Sequence, residues 1–153
     1  MRVLYFAYGS NMSADVMDRI CAGHRFLGVA ELAGYRLAFT RRSIRTASGV
    51  ADIVPAAGFS VWGALYEVDG SCLAAIDEKE GNGWAYLRRR LGVRLRGDTD
   101  ELDAHAYAVI APEQAEIRPA PTYLQGLLQA ARERGLPEDY TADLATHCAD
   151  LAP

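Results

Sequence analysis

The sequence predicts an α+β fold in which strands dominate. Three observations carry that prediction. Apolar runs and two-residue alternation fill most of the chain up to Ile110, helical periodicity is brief before Thr122 and sustained after it, and the connections between elements are short. This pattern disfavours a doubly wound parallel sheet.

Val3-Leu4-Tyr5-Phe6-Ala7-Tyr8 is apolar on both faces and rich in strand formers, so it reads as a buried strand. A helix follows Gly9-Ser10-Asn11: Ser13 suits the N-cap, Asp15 the positive end, Met12 and Met17 a hydrophobic staple, and Gly23 a stop. Phe26–Leu32 reads as a strand, and Tyr35, Leu37 and Phe39 alternate with Arg36, Ala38 and Thr40. Arg41–Gly49 is expected to be an exposed basic loop. Ala51–Val54 and Phe59–Val68 read as two strands, divided by Pro55 and Gly58. Ser71 is expected to cap a short helix that runs to Glu80 and ends at Gly81. Tyr86–Arg96 and Leu102–Ile110 form a predicted hairpin around Gly97-Asp98-Thr99-Asp100. Thr122-Tyr123-Leu124-Gln125 matches a capping box, with Leu124, Leu127, Leu128 and Ala131 on one helical face. Gly135 and Pro137 end that helix, and Tyr140, Leu144 and Leu151 mark a last, shorter one.

The chain's 153 residues suit one domain, residues 1–153, with room for a sizeable core. Half the residues are hydrophobic and 24% are charged, which argues against a disordered chain and against a membrane protein. A net charge of −4 argues against nucleic acid as a general partner. No apolar run is long enough to span a bilayer, and the N-terminus lacks a secretory pattern, so no membrane partner and a cytoplasmic location are expected. Cys21, Cys72 and Cys148 are widely spaced and odd in number. They read as small buried hydrophobes rather than a disulfide or zinc set.

Two segments are candidates for chemistry. In Tyr8-Gly9-Ser10-Asn11, glycine lets the backbone curl so that successive N–H groups share one concavity, aided by the positive end of the following helix. Such a nest holds a carboxylate or a developing oxyanion; an ordinary capping turn has the same sequence. In Ile76-Asp77-Glu78-Lys79-Glu80-Gly81, a seven-residue step falls about 20° short of two helical turns, so Glu80 lies over Leu73, with Ile76 about 40° away. Glu78 and Lys79 point elsewhere, and Asp77 suits a structural hydrogen bond. With Leu73 and Ile76 in the core, Glu80 sits at its rim, where low solvation and the helix's negative end raise a carboxylate's pKa towards the range of general acid–base work. A frayed helix end with Glu80 in water is the competing outcome. Ser10 has no nucleophile elbow to pair with His24, His105 or His147. No histidine pair has metal-ligand spacing, so no metal is expected. The arginine clusters Arg41-Arg42-Arg45 and Arg88-Arg89-Arg90 fit a solvated face or an anionic substrate.

Taken together, these segments resemble the gamma-glutamylcyclotransferase family. Tyr5–Met12 is similar to its N-terminal signature, Val61–Tyr66 to its central strand, and Ile76–Gly81 to its catalytic segment. Pro119–Tyr123 and Gly135–Tyr140 are also similar, in the same order along nearly the whole chain. The resemblance implies a small mixed β-barrel flanked by helices. It also implies conversion of a γ-glutamyl compound into 5-oxoproline and a released amine. Glu80 would be the acid–base residue, Tyr8, Gly9, Ser10 and Asn11 the loop holding the γ-glutamyl group, and Tyr86, Tyr107 and Tyr123 pocket tyrosines. Tyr86 stands one residue nearer Glu80 than in the family's pattern. Asn11 follows Ser10 where the glutathione-specific branch has leucine, which ranks that branch lower.

The implied chemistry is self-contained. The substrate's own α-amine attacks its γ-carbonyl, so binding has only to select the cyclising conformer. Glu80 takes a proton from the amine and returns one to the leaving group. No metal, nucleotide or covalent enzyme intermediate is required, and the partner is a small-molecule γ-glutamyl substrate. Two other readings share these residues. One is removal of a γ-glutamyl protecting group from a biosynthetic intermediate with a cationic amine, with Asp98, Asp100, Glu101 and Asp103 lining the approach. The other is a non-catalytic binding module of the same fold. The amine side of the substrate and the oligomeric state are not legible.

Overall fold

A computed structural model describes all residues, 1–153. The apolar segment near the N-terminus becomes strand β1 (Arg2–Ala7), whose inner residues Tyr5, Phe6 and Ala7 are buried. With β2 (Arg25–Arg42), β3 (Gly49–Asp69), β4 (Tyr86–Leu95) and β5 (Leu102–Val109) it closes a barrel in the order β1–β3–β2–β4–β5. Every pairing is antiparallel except β1 with β5, where Tyr5 meets His105 in parallel. Closure removes exposed sheet edges and buries alternate side chains of each strand. The mixed β-barrel and α+β class expected from the sequence are both present.

Four helices surround this barrel: α1 (Ala14–Ile20), α2 (Gly70–Glu80), α3 (Pro121–Arg134) and α4 (Glu138–Asp150). Their buried residues, among them Met17, Ile76, Leu127 and Leu144, join the barrel interior in one cluster. No helix is long and apolar enough to cross a membrane. Close approach of β1 to β3 requires glycine at one point: a Cβ on Gly63 would lie 2.3 Å from the Ala7 carbonyl oxygen and 3.0 Å from the Phe6 ring.

Five local expectations need correction. Pro55 and Gly58 do not separate two strands; they lie within β3, where Ala33 pairs with Ser60 and Tyr35 with Pro55, so residues 56–59 bulge opposite Gly34. Pro55 and Gly58 are exposed at this corner, where a missing N–H is tolerated. Arg41 and Arg42 continue β2, so the exposed loop is shorter than expected. α2 is capped by Asp69, whose carboxylate accepts the Cys72 N–H at 2.8 Å, while Ser71 donates its hydroxyl to Asp69. α3 starts one residue before the proposed capping box: Pro121 opens it after Ala120, with no side-chain cap. Cys21 and Cys72 form a disulfide, joining the C-terminal end of α1 to the first turn of α2 across 51 residues of sequence. Only Cys148 behaves as the buried free thiol expected of all three.

Candidate active site

The end of β1 and the end of α2 converge on one cleft. After β1, Gly9 leads into a single 3₁₀ turn, Ser10–Met12, closed by the Met12 N–H on the Gly9 carbonyl (3.0 Å). The Ser13 N–H then meets the Ser10 carbonyl at 3.2 Å, and the amides of Gly9, Ser10 and Asn11 have no acceptor within the protein. The turn is held from beneath. Tyr66 donates to the Asn11 and Met12 carbonyls (2.9 and 3.0 Å), and Arg134 of α3 donates to the Met12 carbonyl (2.9 Å) and to Tyr66 Oη (3.0 Å). The Arg134 guanidinium lies 4.0 Å from the Phe26 ring centroid, so its charge is paired with aromatic faces and carbonyls rather than a carboxylate. Neither Tyr66 nor Arg134 stands out in the sequence, because both act on backbone atoms far away along the chain.

α2 supplies the acid. Leu73 and Ile76 are buried against the barrel, and Glu80 follows them on the same face with its side chain 21% exposed. Gly81 ends the helix in the left-handed conformation (φ 66°). Burial pushes the Glu80 carboxyl above its ordinary range; the Lys79 charge and polar contacts with Asn11 and Lys79 oppose the rise without cancelling it. Asp77, one turn earlier, accepts Tyr107 Oη at 2.5 Å and an Arg88 N–H at 3.0 Å, which fixes α2 to β5 and β4.

All eight residues singled out from the sequence line this cleft of about 240 Å³: Glu80, Gly9, Ser10, Asn11 and the tyrosines Tyr8, Tyr86, Tyr107 and Tyr123. Its size suits a small ligand, being below the roughly 300–1,000 Å³ of drug-sized pockets. The tyrosines differ in what their hydroxyls can still do. Tyr8 donates to the Tyr107 carbonyl (2.6 Å), Tyr86 to the Ala51 carbonyl (2.7 Å) and Tyr107 to Asp77, so those protons are committed. Tyr123 instead accepts the Ala51 N–H (3.1 Å), and Tyr5 accepts the Asn11 amide (2.8 Å), so each keeps its proton to donate. Burial raises the pKa of every one of these phenols, Tyr123 to about 12, and the Glu80 charge contributes to each rise. They stay protonated at neutral pH.

Sequence reasoning missed Tyr5, Trp84 and Lys79, which also line the cleft together with Arg41, the one member of the two arginine clusters that reaches it. Lys79 was expected to point away. Instead its ammonium donates to Ser10 Oγ at 3.2 Å and to Asn11 Oδ1, and lies 3.8 Å from Glu80 Oε2. A long flexible stem at a helix terminus lets the charged end reach a site its Cα does not face. Trp84 carries the Arg41 guanidinium 5.6 Å from its ring centroid. Other candidates stay outside. Asp98, Asp100, Glu101 and Asp103 are absent from the cleft lining, and Glu101 and Asp103 pair with Arg94 and Arg90 across the β4–β5 hairpin. Ser10 has Lys79 rather than a histidine as its partner; His24 bonds the Cys21 carbonyl and His147 bonds Glu116.

A closed five-stranded barrel whose helix-borne carboxyl shares a tyrosine-lined cleft with a turn of free amides defines the class of protein. Comparison with known proteins agrees. The AIG2-like family profile matches residues 60–144. The gamma-glutamylcyclotransferase of Mus musculus is 31% identical over 146 residues, covering 92% of this chain and 76% of the mouse protein. The Homo sapiens enzyme of the same name is 30% identical over equal coverage. A solved structure titled gamma-glutamyl cyclotransferase superposes with a TM-score of 0.88 at 27% identity, over 100% of this chain and 89% of its own. The chain belongs to the gamma-glutamylcyclotransferase family.

Proposed function

We propose that the protein is an enzyme that cyclises the γ-glutamyl group of a small γ-glutamyl compound, releasing 5-oxoproline and the amine. The observation that carries this reading is the Glu80 carboxyl, raised in pKa, sharing one cleft with the acceptor-free amides of Gly9, Ser10 and Asn11.

The reaction needs three things from this chain. Tyr8, Tyr86, Tyr107 and Tyr123 wall the cleft and select the folded substrate in which the α-nitrogen faces the γ-carbonyl carbon. Ionised Glu80 removes a proton from the α-ammonium. The new N–C bond forms as the γ-carbonyl π-electrons move to oxygen, and the Gly9–Asn11 amides or the free Tyr123 hydroxyl stabilise that oxyanion. Collapse of the tetrahedral intermediate then breaks the bond to the leaving nitrogen, which takes the proton held by Glu80. The extra proton still on the ring nitrogen passes to the released amine, leaving a neutral lactam and an ammonium. Glu80 ends as it began.

Arg41 and Lys79 are cations against the single carboxylate of Glu80, so the cleft favours an anionic γ-glutamyl compound. The four acidic residues beyond β4 lie away from it, which removes the feature that favoured a cationic leaving amine. A cytoplasmic location is part of the proposal. The Cys21–Cys72 disulfide speaks against it, since such bonds persist mostly in oxidising compartments, and fractionation of the tagged chain decides.

The test is incubation with a panel of γ-glutamyl amines, amino acids and peptides, scored for 5-oxoproline. Release from at least one compound, lost in Glu80→Gln, is the expected result. Binding of the panel without release would instead mark a non-catalytic module.

A further inference from the structure

Lys79 has no task in the reaction as written, yet its position is costly. Burial pulls its pKa down, and two of its three N–H donors are spent on Ser10 Oγ and Asn11 Oδ1 rather than on water. A lysine in the last turn of a helix ordinarily reaches solvent or the terminal carbonyls. This one turns into the cleft and places its ammonium 3.8 Å from Glu80 Oε2. The side chain remains 36% exposed, so a ligand can reach it. Of the cleft's two cations, Lys79 is the one whose charge acts on the Glu80 carboxyl. Arg41 is engaged with the Trp84 ring.

A cation and an anion side by side match the head of an α-amino acid, in which an ammonium and a carboxylate share one carbon. Glu80 must face the ammonium if it is to deprotonate it. The carboxylate on the same carbon then falls to the neighbouring positive group. We propose that Lys79 binds the substrate's α-carboxylate, so that the enzyme requires a γ-glutamyl head and rejects the same chain without its carboxylate. This inference rests on the cyclisation reading for its kinetic arm but not for its binding arm. The Ser10 and Asn11 oxygens hold the ammonium in place before substrate arrives, which keeps the entropic cost of ordering a lysine out of the binding step.

The experiment pairs a γ-glutamyl amide with the 4-aminobutyryl amide of the same amine, which lacks only the carboxylate and cyclises to 2-pyrrolidinone. Wild type, Lys79→Gln and Lys79→Arg are compared, with thermal melts confirming the fold of each. A charged hydrogen bond lost from substrate binding predicts that Lys79→Gln lowers kcat/KM for the γ-glutamyl amide about 10- to 100-fold, mostly through KM, and shifts the 4-aminobutyryl amide by less than about 3-fold. Lys79→Arg restores part of the loss. Equal losses on both amides, or none on either, would overturn the proposal. If wild type releases 5-oxoproline from no γ-glutamyl compound, the cyclisation reading fails on its own. Calorimetry then tests Lys79 separately: wild type binds 5-oxoproline more tightly than 2-pyrrolidinone, and Lys79→Gln erases the difference. Equal affinity of wild type for the two lactams sinks the proposal. So does a Lys79→Gln protein that keeps the preference.

Discussion

Tyr107 and Asp77 are joined by a 2.5 Å hydrogen bond between β5 and α2, and Arg88 of β4 reaches the other oxygen of the same carboxylate at 3.0 Å. Asp77 precedes Glu80 by one helical turn, so this pair of contacts sets the rotation of α2 and thereby the aim of its terminal carboxyl. A buried hydroxyl and a guanidinium would both lose their acceptor in Asp77→Ala. The expected outcome is a loss of about 1–3 kcal/mol in urea unfolding together with a fall in kcat larger than the change in KM. A variant that unfolds earlier but turns over normally would show that Asp77 braces the barrel without aiming Glu80.

Glu80→Gln separates chemistry from folding. Turnover should drop by at least about 100-fold, the ordinary worth of a general acid–base residue. Stability should move the other way. The native carboxyl holds its proton more tightly than the unfolded one, so as pH rises above the usual glutamate range the unfolded state ionises first and wild type loses stability relative to the glutamine variant. Below that range the two should converge. Denaturant titrations at acidic and neutral pH make the comparison; a glutamine variant clearly weaker than wild type at neutral pH would show that the Lys79 contact outweighs burial.

The pH dependence of kcat/KM follows from the same group. Glu80 accepts the α-ammonium proton only when ionised, so activity falls on the acid side through its native pKa, which burial lifts above the ordinary carboxylate value. Lys79 holds that rise in check. Removing its charge in Lys79→Gln should move the acid limb to higher pH, and a limb that stays at the usual glutamate value in wild type would contradict the sheltered position of Glu80.

Much of this arrangement is legible in the residues alone. The Ser13 cap, the β4–β5 hairpin and the stacking of Glu80 above Leu73 each follow from local spacing, and the structure places them there. What local spacing misses is set by partners distant in sequence. Pro55 and Gly58 carry the signature of a break, yet pairing with β2 keeps them inside β3 as a bulge. The α2 cap is the local exception: Asp69 outcompetes Ser71 because its carboxylate reaches the Cys72 amide. Lys79 faces away by helical angle, and only the position of Ser10 and Asn11 at the end of β1 draws its ammonium inward. Glycine at 9 and the apolar run before it mark the amide turn, whereas the Arg134 and Tyr66 supports beneath it leave no pattern.

Gly81 links helix termination to the cleft wall. Its φ of 66° is costly for any residue with a Cβ, and a Cβ there would sit 2.7 Å from Cε2 of Trp84. Gly81→Ala should cost at least about 1–2 kcal/mol from backbone strain alone. It should also displace the Trp84 ring that carries Arg41 and lines the cleft, raising KM. Tryptophan fluorescence in a Trp62→Phe background, which leaves Trp84 as the sole tryptophan, reports the ring, and an unchanged emission spectrum with an unchanged KM would show that Trp84 plays no part in the wall.

The disulfide between Cys21 and Cys72 fastens the helix that follows the amide turn to the helix that carries Glu80. Closing a loop of 51 residues restricts the unfolded chain, and chain-entropy arguments put that restriction at about 2–4 kcal/mol. Reductant should therefore lower the Tm of wild type and leave that of Cys72→Ala unchanged, because the variant has no bond to lose. Both α1 and α2 keep their buried faces when the bond opens: Met17, Leu73 and Ile76 stay packed in the common core. Activity should thus survive reduction at moderate temperature and fall only near the lowered Tm. Thiol titration in denaturant without reductant checks the premise: one equivalent, from Cys148, is the expected count, and three would mean that the two helices are held by packing alone.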